Sequence, residues 1–141
     1  MGNTTSIRKI NFEDMKTAIK SGEKYLIINT LSNDLQECLI LNTTSITEEE
    51  RIINHCLQNK NRRIRIIIYG NNSNDEKIYS KYNQFTSLGF QNVYLYTGGM
   101  FEWLMLQDIF GFDEFPTTKK ELDLIKYRSP QLLNIELIEY I

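Results

Sequence analysis

Cysteine, proline and histidine are nearly missing from this chain. Its 141 residues include two cysteines, two prolines and one histidine. Cys38 and Cys56 stand in no spacing that holds zinc or works as a redox pair, so free thiols in a reducing compartment are expected. No metal and no cofactor are expected either. The lone histidine, His55, lies off the apolar stripe of its segment and reads as a solvated surface residue rather than a general base. No apolar run reaches the ~20 residues that a membrane-crossing helix needs, and no leader-like pattern opens the chain. The sequons at Asn3, Asn42 and Asn71 are therefore expected to stay unglycosylated. A net charge of −2 supplies no overall field for nucleic acid, which is not expected as a partner.

What is present is an ordinary globular composition, 41% hydrophobic and 24% charged. A chain of this length buries a core without disulfide or metal staples. Isoleucine and asparagine make up roughly a quarter of the residues, a bias better explained by AT-rich coding than by any chemistry. The opening, Met-Gly-Asn-Thr-Thr-Ser, fits the N-myristoylation pattern, with Gly2 as acceptor and Ser6 as the later hydroxyl. Arg8 and Lys9 add thin basic support, and one acyl chain gives only reversible membrane binding. The expectation is a cytoplasmic protein that can associate with membrane through Gly2.

Residues 1–9 read as a flexible arm. Asn11 and Asp14 form a capping box for a helix with Phe12, Met15 and Ile19 on its apolar stripe, ending at Gly22. "YLIIN", Tyr25 to Asn29, is a short continuous apolar run, as expected for a strand covered on both faces. "CLIL", Cys38 to Leu41, reads as a further short strand. Thr47 and Glu50 form a second capping box ahead of Ile52, Ile53, Cys56 and Leu57, which places Cys56 on a buried helix face. "RIIIYG", Arg65 to Gly70, is the clearest central strand. It runs through the loop Gly70-Asn71-Asn72-Ser73-Asn74-Asp75 into a helix bearing Ile78, Tyr82, Phe85 and Leu88, stopped at Gly89. "VYLY", Val93 to Tyr96, turns through Gly98-Gly99 into a helix carrying Trp103, a packing anchor. Thr118 and Glu121 form a third capping box. Ser129-Pro130 opens a last helix with apolar residues on more than one side, either packed on the domain or offered to a partner. Strands alternating with helices at these lengths predict an α/β protein, a parallel sheet flanked by helices on both faces with a C-terminal helical extension.

The order of these segments resembles the rhodanese-like domain. The likeness rests on "YLIIN", "IIIYG" at Ile66–Gly70, the six-residue loop and, most specifically, "LGFQNVYLYTGGMFEW" at Leu88–Trp103. It covers about Ile10 to Thr118. Residues 10–118 are therefore expected to form a rhodanese-like domain, between an arm at 1–9 and an extension at 119–141 packed on or near it.

The resemblance implies a loop that opens with a cysteine, whose thiolate takes a sulfane sulfur while the loop amides cradle the transferred group. At that position this chain has Gly70. The glycine and arginine common later in the loop correspond to Ser73 and Asp75, and the acidic and basic pair after the first core strand to Asn29 and Leu31. A carboxylate at Asp75 can itself accept the exposed amide hydrogens at a helix start, filling the anion site from within. Ser73 has no histidine or lysine beside it in sequence to activate it. A phosphate-binding nucleotide loop is excluded, because Gly70-Asn71-Asn72 lacks the glycine and lysine pattern. The expectation is a catalytically inactive binding, scaffolding or regulatory module with a protein partner, no catalytic residue, and a degenerate loop at Gly70–Asp75. Phe112 and Phe115 in "GFDEFPTT" are its candidate partner surface. The alternative is a sulfurtransferase whose chemistry has moved to Cys38 or Cys56.

Overall fold

The computed structural model describes residues 6–133. Four strands and four α-helices alternate along them: β1 (Lys9–Ile10), α1 (Phe12–Lys20), β2 (Tyr25–Asn29), α2 (Ile46–Gln58), β3 (Arg65–Tyr69), α3 (Lys77–Ser87), β4 (Asn92–Tyr96) and α4 (Gly99–Phe110). The strands form one parallel sheet in the order β1-β4-β3-β2. This is the α/β architecture predicted from the alternating pattern.

The period of two along each strand sorts the core into two layers. On β3, Ile67 and Tyr69 face a layer closed by Met15 and Ile19 of α1 and by Met100, Trp103 and Leu104 of α4. Ile66 and Ile68 face the other layer, closed by Ile53 and Cys56 of α2 and by Ile78 and Phe85 of α3. Strands buried on both faces must be apolar at nearly every position, which is why "YLIIN" and "RIIIY" read as continuous runs. Trp103 is fully buried; its indole N–H donates to Pro116 O at 3.1 Å, and its ring meets Phe115 edge-on at 5.1 Å.

Several local expectations yield to tertiary structure. "CLIL" is not a strand. Leu39 and Ile40 are buried there by the 117–118 segment, through an isolated antiparallel bridge between Ile40 and Thr117 and a bond from Thr118 N to Leu39 O at 2.8 Å. Helix α2 begins after Ser45 rather than Thr47, because the Ser45 carbonyl accepts from both Glu48 N and Glu49 N. Thr118 caps no helix: its hydroxyl accepts from Leu39 N and donates to Glu37 O. The following segment makes only a 3-10 turn, Leu124–Tyr127, capped by Asp123. Residues 119–129 nevertheless pack on the domain, since Tyr127 belongs to the α1/α4 core layer. The helix expected from Ser129 has no helical turn through Leu133, and the rest of that expectation lies outside the described residues, as do Gly2 and the start of the arm. Phe115 is withdrawn as a partner-facing residue. Only 3% exposed, it stacks among Phe12, Trp103 and Phe110.

Candidate functional site

In open parallel sheets, ligands gather beyond the carboxyl ends of the strands. Here the segments after β2, β3 and β4 meet at that edge. The loop after β3 is clamped on one side by the start of α4, where Met100 N donates to Gly70 O at 2.9 Å and Phe101 N to Asn71 O at 2.8 Å. Gly99 makes this approach possible. Its φ is +70°, and a Cβ there would stand 2.7–2.8 Å from Gly70 O, Asn71 C and Asn72 N. The Gly98-Gly99 turn thus serves the loop as well as the helix.

Inside the loop, Asp75 is turned inward. One carboxylate oxygen, Oδ2, accepts from Asn71 N at 2.9 Å and Asn71 Nδ2 at 3.0 Å, while Oδ1 accepts from Lys77 N at 3.0 Å. The helix cap is Glu76, so Asp75 sits one position earlier than a cap and bridges loop to helix. This carboxylate lies where a side chain at position 70 would begin. A Cβ on Gly70 would be 2.5 Å from Asp75 Oδ2, 2.9 Å from its Cγ and 2.8 Å from Thr30 Oγ1. Gly70 and Asp75 are two halves of one arrangement: an absent side chain and an acid that uses the space.

The remaining polar side chains are also held. Asn72, 7% exposed, accepts from Asn74 N at 2.9 Å and donates to Tyr127 O at 2.9 Å. Asn74 Nδ2 donates to Ser129 Oγ at 3.1 Å. The 124–129 segment therefore lies across the loop as a strap. Between them is an open cavity of about 600 Å³, bordered by Leu35, Lys77, Lys126 and Arg128. Ser73 is exposed and faces a second cavity with Gly98 and Glu102. Tyr96 donates to Glu102 at 2.6 Å, and burial, reinforced by that carboxylate, holds the Tyr96 hydroxyl protonated.

Asn29 and Leu31 have structural tasks. Asn29 Oδ1 accepts from Leu31 N at 3.0 Å and Gln36 Nε2 at 2.8 Å, locking the turn after β2, and the Leu31 side chain is buried. Cys38 lies in the core beneath residues 117–119, with Sγ donating to Lys119 O at 3.2 Å; Cys56 lies on the buried face of α2, in the other core layer. Both are 5% exposed, and burial pushes both thiols above their ordinary pKa. His55 is exposed on α2 beside Asn59, 2.8 Å away, and Phe112 is half-buried under Lys120. The structure thus brings Gly70, Asn71, Asn72, Asn74 and Asp75 together, and leaves Cys38, Cys56 and Phe112 elsewhere. Sequence reading missed Thr30, Tyr127 and the pairing of Asn72 with Tyr127. An aromatic in the polar stretch after residue 119 was the one available hint.

Among the described residues no three His, Cys, Asp or Glu gather to hold a metal ion, and no helix is long and apolar enough to cross a membrane. The profile of the rhodanese-like domain matches residues 28–106. Similar folds are found in the yeast protein Ygr203w, described as a protein tyrosine phosphatase of the rhodanese family (TM-score 0.60, 15% identity, covering 89% of this chain and 100% of that one). They are also found in BH2092 from Bacillus halodurans (0.57, 18%, covering 95% and 90%) and in Alr3790 from Anabaena (0.56, 19%, covering 83% and 86%). At these identities the likeness is one of fold. No curated protein sequence matches the chain.

Proposed function

Since this chain belongs to the rhodanese-like domain family, with more than half of its length matching the family profile, we propose that it is a non-catalytic member, a binding or scaffolding module tethered to membrane through an acylated Gly2. One observation carries the first part of this reading. The Asp75 carboxylate occupies the start of the loop, in the space a side chain at position 70 would need. Sulfur or phosphoryl transfer in this family would call for a thiolate there and a loop open to an anion. Glycine supplies no nucleophile, and a carboxylate bonded to Asn71 N and Lys77 N repels the substrate charge while using the same donors.

The alternative, sulfur transfer through Cys38 or Cys56, has less support. Both thiols are buried and shifted toward the protonated, unreactive form. Phe112 keeps its place as a partner contact; its half-exposed ring lines a small cavity with Leu122 and Leu124 at the far end of α4. The test is thiosulfate:cyanide sulfurtransferase activity of the purified full chain. The expected rate is that of the buffer blank, and robust turnover abolished by Cys38→Ser would establish the alternative instead.

A further inference from the structure

The end of the sheet opposite the loop carries a charge asymmetry that the net charge hides. Because all four strands are parallel, the segments leading into them converge at one pole. Arg65 opens β3 in register with Tyr25 and Asn92, and its guanidinium lies 5.6 Å from the centre of the Tyr25 ring. Arg62 and Arg63 precede it. Arg62 O accepts from Gln91 N at 3.0 Å, and Arg63 O accepts from Asn92 Nδ2 at 2.8 Å. Arg8 reaches the same corner, its Nη1 donating to Tyr94 OH at 3.4 Å and Asn92 Oδ1 at 3.5 Å. Lys24 precedes β2, and Lys60 follows α2.

Six cations thus meet one carboxylate, Glu23, in the segments that enter the strands, within a chain whose net charge is −2. None of the six is ion-paired among the described residues; the ion pairs there involve Lys16, Arg51, Lys81 and Lys126. One further acid, Asp14 of α1, comes close, lining a small pocket with Tyr25 and Tyr94, the rings that Arg65 and Arg8 contact; Glu114, past the end of α4, is bonded to Lys16 at 2.9 Å. Three helices end at this pole, and their partial negative ends account for some of the cations. Arg62 is used in that way, its Nε donating to Leu88 O at 3.0 Å. The other five are exposed.

The amino-terminal arm leaves at this same pole. Arg8 O accepts from Leu95 N at 2.9 Å, so residues 6–8 run beside β4 toward its beginning, with Ile7 38% exposed. We propose that this pole is a docking surface for an anionic lipid bilayer. A single acyl chain anchors only marginally, and a basic patch is one of the second signals that make anchoring stable. Each Lys or Arg near an anionic surface strengthens binding about fivefold. The inference rests on the Gly2 tether for its full strength, while the cations attract the surface without it. The basic cluster, discontinuous in sequence, supplies what Arg8 and Lys9 alone do not.

The experiment is co-sedimentation of the unacylated full chain with vesicles of phosphatidylcholine alone or with about one-third phosphatidylserine, at moderate salt. Binding is expected to the anionic vesicles only, and to weaken as salt rises. The triple variant Lys24→Glu/Lys60→Glu/Arg63→Glu, checked for an unchanged Tm, should bind them about a hundredfold more weakly. Lys119→Glu/Lys120→Glu should bind like the parent. Equal binding to both vesicles, or an unaffected triple variant, overturns the proposal, as does tighter binding to a short RNA or DNA duplex than to anionic vesicles. The acylated chain and its Gly2→Ala counterpart separate the two readings. If acylation adds nothing while lipid charge still matters, the tether fails and the pole stands. If only the acylated chain binds, indifferent to lipid charge, the pole fails and the tether stands.

Discussion

The pairing of Gly70 with Asp75 makes a quantitative prediction. Gly70→Ala places a methyl group 2.5 Å from Asp75 Oδ2 and 2.8 Å from Thr30 Oγ1. The backbone at 70 is not left-handed, so the cost comes from space alone. Thr30 can rotate, losing a long 3.3 Å bond to Tyr69 O. Asp75 must swing out and release the amides of Asn71 and Lys77. Hydrogen bonds to a charged group are worth about 1.5–3 kcal/mol each, and the half-buried position argues for the lower end and for partial replacement by water. The reduced freedom of the unfolded alanine chain returns about 0.5 kcal/mol. The net destabilisation should be about 2 kcal/mol, with Asp75→Ala costing a similar amount because the same bonds are lost. Independent effects would make the double variant about 4 kcal/mol less stable, whereas a shared loss predicts about 2 and a coupling of about 2 kcal/mol. Urea denaturation of the four proteins measures the cycle directly. Additivity to within about 0.5 kcal/mol would show that the carboxylate does not occupy the space of a side chain at 70.

Three further outcomes follow from the same region and its surroundings. Gly99→Ala combines a left-handed φ with backbone atoms at 2.7–2.8 Å that cannot rotate away, so it should cost about 3 kcal/mol or more and raise amide exchange at Asn71 and Asn72; a loss below about 1 kcal/mol would contradict the close approach. Burial raises the pKa of Cys38, Cys56 and Tyr69 in the folded chain, so the stability each contributes is complete below its unfolded value, near 9 for the thiols and 10 for the phenol, and is lost as pH rises above it. Tm should therefore be level from pH 7 to 8.5 and fall above pH 9. At pH 8 the native thiols should resist a thiol reagent that labels both in denaturant, and fast labelling of native Cys38 would contradict its burial.

The parts of the fold legible in the sequence are those decided locally. The Asn11–Asp14 capping box forms as read, with Asp14 N donating to Asn11 Oδ1 at 3.0 Å, because both partners lie within one turn. Strands β2, β3 and β4 announce themselves because two covered faces leave polar residues only at the strand ends, Asn29 and Asn92 among them. What was not legible depends on segments far apart in sequence. Thr118 looks like a cap, but its hydroxyl is already committed to Glu37 and Leu39, some eighty residues away. Phe115 looks like a loop anchor, and only the arrival of Phe12, Trp103 and Phe110 around it makes it core. At the candidate site, the residue types and the inward use of Asp75 were readable from loop length and helix-start chemistry. The strap was not, since nothing near Asn72 points to Tyr127.

The strand order also sets a timetable. Strands β2, β3 and β4 pair with neighbours about 30–40 residues apart, but β1 pairs with β4, about 85 residues downstream. At ribosomal speeds of roughly 5–20 residues per second, Lys9 and Ile10 wait several seconds before Leu95 and Tyr96 exist to receive them. The central sheet can consolidate during synthesis while the amino-terminal segment is still unpaired. Under the proposal of an acylated Gly2, that interval is when an acyltransferase would reach the segment, before β1 docks on β4.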